Sequence, residues 1–271
     1  MSSDGFMVSL RQRLTQLGTM CRRRIGMVET IKSGSGTGLR FDTGLGTNLF
    51  ITGEYERPVQ GAISSLVKQG DVCYDIGANL GFFTVLFGRL AGTAGIVYAF
   101  EPVPSNASVL ERNARLNGLS NIQILRMACS RQSGSSELML ARHIGGAVLK
   151  SAGVPPDLNG SIVVETATID SLVNTQKIAP PNVVKIDVEG AEMDVLEGMK
   201  KVLKEWGPAV IIEVDDASAA KCEEKLSKCR EFLHEYNYQT ELIPNSYADG
   251  KWYVRHFIAT RASMASGYST V

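Results

Sequence analysis

Asp75-Ile-Gly-Ala-Asn-Leu-Gly81 is the stretch whose reading decides the fold. It joins an apolar run, Asp71-Val-Cys-Tyr-Asp-Ile76, to a helically spaced segment over residues 80–90. A short buried strand that turns through glycines into a helix is the opening unit of a doubly wound α/β fold. Glycines at 77 and 81 allow a tight turn and close approach of a ligand, and the helix start behind them offers unpaired amide donors. The spacing departs from the dinucleotide GxGxxG fingerprint, because Asn79 stands where the second glycine would be. Asp75, at the head of the loop, would repel phosphate and favour a cationic or hydroxyl-rich ligand, which turns the expectation toward S-adenosylmethionine.

Outward from this loop the chain alternates. Further strands are expected over residues 95–101, 122–127, 183–188, 208–214 and 253–259, and helices over 59–68, 104–117, 192–206 and 218–236. The helix at 104–117 carries Pro104 in its first turn and Gly118 past its end, as helix termini prefer. Strands alternating with helices of this length imply an α/β fold, Rossmann-like, with a mostly parallel sheet and helices on both faces. Residues 128–167 break the rhythm: short alternating runs at 136–140 and 161–166 flank a Gly/Pro-rich stretch, which reads as an inserted hairpin or lid over 136–166. Residues 1–52 form an N-terminal extension, with an arginine-bearing helix over 10–27 and short strands or loops over 39–52, ahead of a main domain at 53–271.

Bulk properties narrow the class. The 271 residues, 44% of them hydrophobic, can bury a sizeable core. Zero formal net charge points to no nucleic-acid or membrane partner. No apolar run reaches the ~18 residues of a membrane span, and no apolar stretch follows the N-terminal arginines as a secretory signal requires. Five cysteines (Cys21, Cys73, Cys129, Cys222, Cys229) without a CxxC pair argue against a disulfide framework or zinc site, so a cytoplasmic setting is expected. The oligomeric state is left open, a homodimer included.

Three further motifs fall at strand ends, where ligands bind in such sheets. Phe100-Glu101-Pro102 lies about 20 residues after the glycine loop, the place from which a carboxylate holds ribose hydroxyls. Val184-Lys185-Ile-Asp187-Val-Glu189-Gly190-Ala-Glu192 gathers carboxylates that can hold an ammonium, accept a proton or bind a divalent cation. Ile211-Ile-Glu213-Val-Asp215-Asp216 ends the next strand; Asp187 and Glu213 on adjacent strand ends could converge as a general base or as half of a Mg²⁺ site.

These residues, with Gly53-Glu-Tyr-Glu56, Asn113, Asn117 and Ala128, resemble the FkbM family of methyltransferases over about residues 45–260. The resemblance implies the seven-stranded class I methyltransferase sheet and S-adenosylmethionine-dependent O-methylation of a small molecule: a sugar, glycolipid or secondary-metabolite scaffold. It implies that Asp75, Gly77, Asn79 and Gly81, with the adjoining Ala78 and Phe82, line the methionine part of the donor. Glu101, beside Pro102, would hold the ribose, and Met127 and Ala128 would lie near the adenine. Asp187, with Glu189 close by, would sit beside the methionine or the transferring methyl, and Glu54, Tyr55 and Glu56 at the entrance. His143 stands where the family more often has Asn.

Methyl transfer to a neutral alcohol benefits from a base. The candidates are Asp187, Glu213, His143 and His256, with Mg²⁺ on Asp187 and Glu213 as the other route to a more acidic hydroxyl. Two other readings stand beside this one: an NAD-dependent Rossmann enzyme, and a methyl-donor-binding module without catalysis.

Overall fold

The computed structural model describes residues 28–42, 47–142, 146–247 and 252–261. Two short antiparallel strands, β1 (Val28–Thr30) and β2 (Arg40–Asp42), precede helices α1 (Asn48–Thr52) and α2 (Arg57–Leu66). The alternating unit follows: β3 (Val72–Ile76), α3 (Phe82–Ala91), β4 (Ile96–Phe100), α4 (Pro104–Leu116) and β5 (Ile122–Leu125). Four strands then interrupt it: β6 (Ala128–Cys129), β7 (Gly134–Ala141), β8 (Ala147–Leu149) and β9 (Leu158–Ala167). The chain resumes with α5 (Ile169–Asn174), β10 (Val183–Ile186), α6 (Glu192–Glu197), α7 (Lys200–Glu205), β11 (Ala209–Asp216), α8 (Ala219–Glu235), β12 (Tyr238–Ile243) and β13 (Tyr253–Arg261). The helix expected over residues 10–27 lies outside the described residues.

The main sheet has seven strands in the order β12-β13-β11-β10-β3-β4-β5, and only β13 runs against the rest. This is the seven-stranded, mostly parallel, Rossmann-like sheet that the family resemblance implies. Strand order reverses between β3 and β10, because the chain runs out through β4 and β5 and crosses back. The crevice at such a reversal is the ligand position of open α/β sheets.

Both sheet faces are buried, so the strands read as continuous apolar runs rather than as alternation. Cys73, Val183 and Ile211 point to one face, packed by α2, α3 and the N-terminal strands. Tyr74, Ile76, Val184, Ile186, Val210 and Ile212 point to the other, under α6 to α8. Phe41, Phe50 and Ile51 belong to the same cluster as Phe82 and Phe83, so residues before 53 share the core of the main unit.

Three expectations change. The segment at 192–206 is two helices, not one. A Cβ at Gly198 would lie 2.2 Å from the Ser130 carbonyl oxygen. The Asp170 carboxylate accepts from the amides of Lys201 and Val202, supplying partners that the start of α7 would otherwise lack. The insertion is a sheet of four strands, β6-β9-β7-β8, rather than a lone hairpin, and β6 pairs parallel with β9. Finally, β12 was not expected, and it supplies the edge strand that completes the seven.

Candidate active site

A cavity of about 780 Å³ runs along the C-terminal ends of β4, β3, β10 and β11 and is roofed by residues of the second sheet, 146–157. That volume lies in the upper part of the roughly 300–1,000 Å³ range of small-molecule sites.

The floor begins at the glycine loop. Gly77 has φ +82°, and a Cβ there would sit 1.7 Å from the carbonyl oxygen of Asp187. Only glycine permits this contact between the β3 loop and the end of β10. The amides of Gly77 and Ala78 donate to the Phe100 carbonyl at 3.1 and 3.0 Å, which ties the loop to β4. Asn79, at φ +50°, turns its amide to the Glu101 carboxylate at 2.7 Å. Asn tolerates this left-handed conformation better than other side chains.

Glu101 accepts from Asn79 and, at 2.8 Å, from the amide of Val103. Burial pushes its pKa up to about 7, against the pull of these hydrogen bonds. Pro102, Met127 and Ala128 line the cavity on that side, and Tyr55, Asp187 and Glu189 on the other.

Several residues named from the sequence fall elsewhere. Asp75 does not reach the cavity wall: it is 1% exposed beneath the loop and accepts from the Thr84 hydroxyl. Its place on β3, opposite Lys185 on β10, sets it on the inner face of the sheet. Ala78 and Phe82 are buried in apolar clusters, and Gly81 starts α3 against Leu110. Glu54 lies outside the cavity, half-exposed and paired with Arg57 at 3.5 Å. His143 lies outside the described residues.

The expected Asp187–Glu213 convergence takes a different form. Lys185, 2% exposed, pairs with Asp187 at 2.8 Å. Burial alone would lower the Lys185 pKa, but Asp187, Asp75 and Glu56 outweigh it and hold the ammonium charged. Glu213 turns to His256 on the neighbouring strand, with Nε2 2.6 Å from its carboxylate. Glu56 Oε2 is 3.5 Å from the same nitrogen, and Glu56 Oε1 accepts from Tyr247 at 2.7 Å.

Burial opposes charge on His256, yet the two carboxylates raise its pKa to about 10. The two carboxylates thus favour the imidazolium form of His256, which is 1% exposed and lies behind the cavity wall rather than on it. Burial, Asp187 and Glu56 push Glu213 up to about 8, partly offset by His256.

Among the described residues, Glu56, Glu213 and His256 form the group with metal-ligand spacing. Its centre is already served by the imidazolium, and Asp187 is occupied by Lys185. The donor set does not fit the Asp187–Glu213 magnesium site, and no step is derived through a metal.

Sequence reasoning missed Tyr247 and Trp252, which line the cavity from the ends of the β12–β13 connection. Trp252 Nε1 donates to Asp215 at 2.6 Å. An isolated aromatic in a polar connection carries no periodic signal that would mark it.

Comparison with known proteins adds the following. The family model described as the methyltransferase FkbM domain matches residues 75–240. The chain is 32% identical over 148 residues to the hexuronic acid methyltransferase AglP of Haloferax volcanii, covering 54% of this chain and 57% of that protein. It is 27% identical over 183 residues to the 31-O-demethyl-FK506 methyltransferase FkbM of Streptomyces tacrolimicus, covering 57% of this chain and 69% of that one. The chain thus spans little more than half the length of the Haloferax relative. A crystal structure of a methyltransferase FkbM from Methylobacillus flagellatus KT superposes with a TM-score of 0.48 at 16% identity, covering 74% of this chain and 50% of that chain.

Proposed function

The chain belongs to the FkbM family of methyltransferases, and from that premise we propose that it transfers the methyl group of S-adenosylmethionine to a hydroxyl of a small polar acceptor. The observation that carries this reading is the asymmetry of the cavity: a ribose-type carboxylate, Glu101, at the end of β4, and a buried cluster of carboxylates and cations at the ends of β10 and β11. Relatives named for a hexuronic acid and for 31-O-demethyl-FK506 suggest a sugar, glycolipid or secondary-metabolite acceptor.

In this reading Glu101 accepts from the ribose hydroxyls while holding the loop amide of Asn79. Met127 and Ala128 border the adenine, and Gly77 and Asn79 border the methionine. Asp187, Glu189 and Tyr55 face the transferring methyl. Asp75 acts from below, holding Thr84 at the start of α3 and so fixing the loop. The donor's sulfonium already activates the carbon. The protein's task is to bring the acceptor oxygen to about 3 Å in line and to exclude water.

Glu213 is the base in this reading. It lines the cavity, and its raised pKa brings a carboxylate toward the range where general bases work near neutrality. His256 and Lys185 are positioning residues: they supply the buried positive charge that keeps Glu56, Asp187 and Glu213 in place. The second sheet serves as the lid.

Titration calorimetry with S-adenosylhomocysteine and with NAD tests the donor. Binding of the first and none of the second is expected; NAD binding alone would overturn the reading. Methyl transfer to a hydroxylated acceptor separates an enzyme from a donor-binding module. The base is read from the pH profile. Because Glu213 must be deprotonated to act, kcat/KM rises with pH toward about 8 and then levels. Glu213→Gln removes that limb and lowers kcat by roughly 100-fold or more. A rising limb that survives the substitution assigns the base elsewhere.

A further inference from the structure

Glu56 reaches the base from the segment ahead of α2, and its backbone is strained to do so. It sits at φ +43°, a left-handed conformation that residues with side chains seldom adopt. The turn is clamped. Gln60, 1% exposed, donates from Nε2 to the carbonyls of Gly53 and Tyr55, and its Oε1 accepts from the Ser35 amide at 2.9 Å. Strain that the surroundings hold in place gathers at functional positions. Here it delivers a carboxylate, 2% exposed, to the nitrogen that already serves Glu213.

The contacts at His256 are unequal, and all are on one side of the ring. Nε2 lies 2.6 Å from Glu213 Oε2, a hydrogen bond, and 3.5 Å from Glu56 Oε2, within ion-pair reach only. Nδ1 is buried and has no hydrogen-bond partner. An imidazole that relays a proton receives it on one ring nitrogen and releases it from the other. Both carboxylates face the same nitrogen, so this ring cannot hand a proton from one to the other. It can only divide a single N–H between them.

The rest of Glu56 is engaged elsewhere. Its Oε1 accepts from the Tyr247 hydroxyl at 2.7 Å, which leaves Oε2 turned to His256. The other groups that bear on the trio are Lys185 and Asp187 on β10, paired with each other at 2.8 Å, and the hydroxyls of Tyr55 and Tyr247. No described residue donates a hydrogen bond to Glu56 Oε2.

We propose that Glu56 is a positioning residue for the base: it is the second acceptor of the His256 Nε2–H, and it takes that hydrogen over when Glu213 receives the proton of the substrate hydroxyl. The proposal rests on Glu213 being the base. In the step the substrate O–H bond breaks and its proton goes to Glu213. The oxygen bonds to the methyl carbon, and the C–S bond breaks with its electron pair left on sulfur. Glu213, now neutral, accepts a hydrogen bond less strongly than an ionised carboxylate does. The imidazole hydrogen therefore turns from Glu213 to Glu56. A buried cation thus keeps an anionic partner throughout the step, where without Glu56 it would face a neutral carboxyl at the moment of transfer.

His256 is one of three histidines in the chain, so long-range proton–nitrogen NMR of the imidazoles follows it through a pH titration with no ligand added. Glu213→Gln stands in for the protonated base. In that variant His256 is expected to stay charged well above its ordinary value of about 6.5, because Glu56 holds Nε2–H. With Glu56→Gln added, burial acts on the ring without a facing carboxylate, and the titration falls below about 6.5. A Glu213→Gln chain that already titrates at or below that value overturns the proposal.

A second variant guards against one that does not fold, and melting temperatures read folding directly. In Glu56→Gln alone the His256 nitrogen signal reports the titration of Glu213, its hydrogen-bond partner. Loss of the spare carboxylate makes neutral Glu213 less favourable, so that midpoint is expected to drop from about 8 to about 7 or lower. Glu56→Asp, which keeps the charge, should restore part of the difference. A merely structural Glu56 would lower the melting temperature and leave the midpoint in place, and that result also overturns the proposal. A rising limb of kcat/KM that survives Glu213→Gln is a different result, and it strikes the reading of Glu213 as the base instead.

Discussion

At the scale of single residues, the site depends on one contact that side chains would prevent. The missing Cβ of Gly77 leaves room for the Asp187 carbonyl, 1.7 Å from where that atom would be. Gly77→Ala must push the loop off β10 and also hold a left-handed backbone, a strain of roughly 1–3 kcal/mol. The expected outcome is a lower melting temperature together with weaker S-adenosylhomocysteine binding by calorimetry; a variant with unchanged affinity would disconnect the loop from the donor. Residue type and position made Gly77, Glu101, Asp187 and Glu213 legible in the sequence, because glycine and carboxylate at strand ends carry chemistry wherever the strands are placed. Asp75 was misread for a physical reason. Its position at the head of the loop is visible, but whether its side chain faces the ligand or the sheet depends on strand parity, and parity sets it opposite Lys185.

At the scale of elements, pairing of β11 with β13 brings Glu213 opposite His256 and closes a buried ion cluster with Glu56. Removing the cation leaves carboxylates buried without compensation, so His256→Phe should cost about 3–5 kcal/mol by denaturant unfolding near pH 6. The pH sign follows from the raised folded-state pKa. His256 contributes stability fully below its unfolded value of about 6.5 and loses it as pH rises through about 10. The gap between the two proteins should therefore narrow across that window; a constant gap would mean that packing, not charge, is lost. The parallel strands were readable as apolar runs because both faces are covered. β12 was not, because as the edge strand it exposes Glu241 and Leu242 and shows no buried run. The break between α6 and α7 was hidden for a similar reason: the capping carboxylate, Asp170, is 31 residues away from Lys201 in sequence.

At the scale of the whole molecule, the second sheet and its β8–β9 connection cover the cavity at the C-terminal strand ends of the first. Residues 146–149 and 152–157 line the cavity from above, and Ser151 and Arg131 both reach Asp194 on α6. Donor product held beneath this cover should slow amide exchange at Ala152, Gly153, Val154 and Asp157 as well as in the glycine loop. Protection confined to the loop would show that the cover does not close over the donor. The insertion announced itself in the sequence by its broken rhythm, but the parallel β6–β9 pair did not, since a two-residue strand has no pattern of its own. The meeting of Gly77 with Asp187 also bears on how the protein is born. Residues 77 and 187 touch across 110 positions of chain, with the whole four-stranded insertion between them. Contacts so far apart in sequence form late, after the loop between them has been closed. On a ribosome the glycine turn emerges long before β10, so the Gly77–Asp187 contact is made only after β10 has left the tunnel and docked. If the loop holds the donor as proposed, Gly77→Ala and a slowed docking of β10 would act on the same contact.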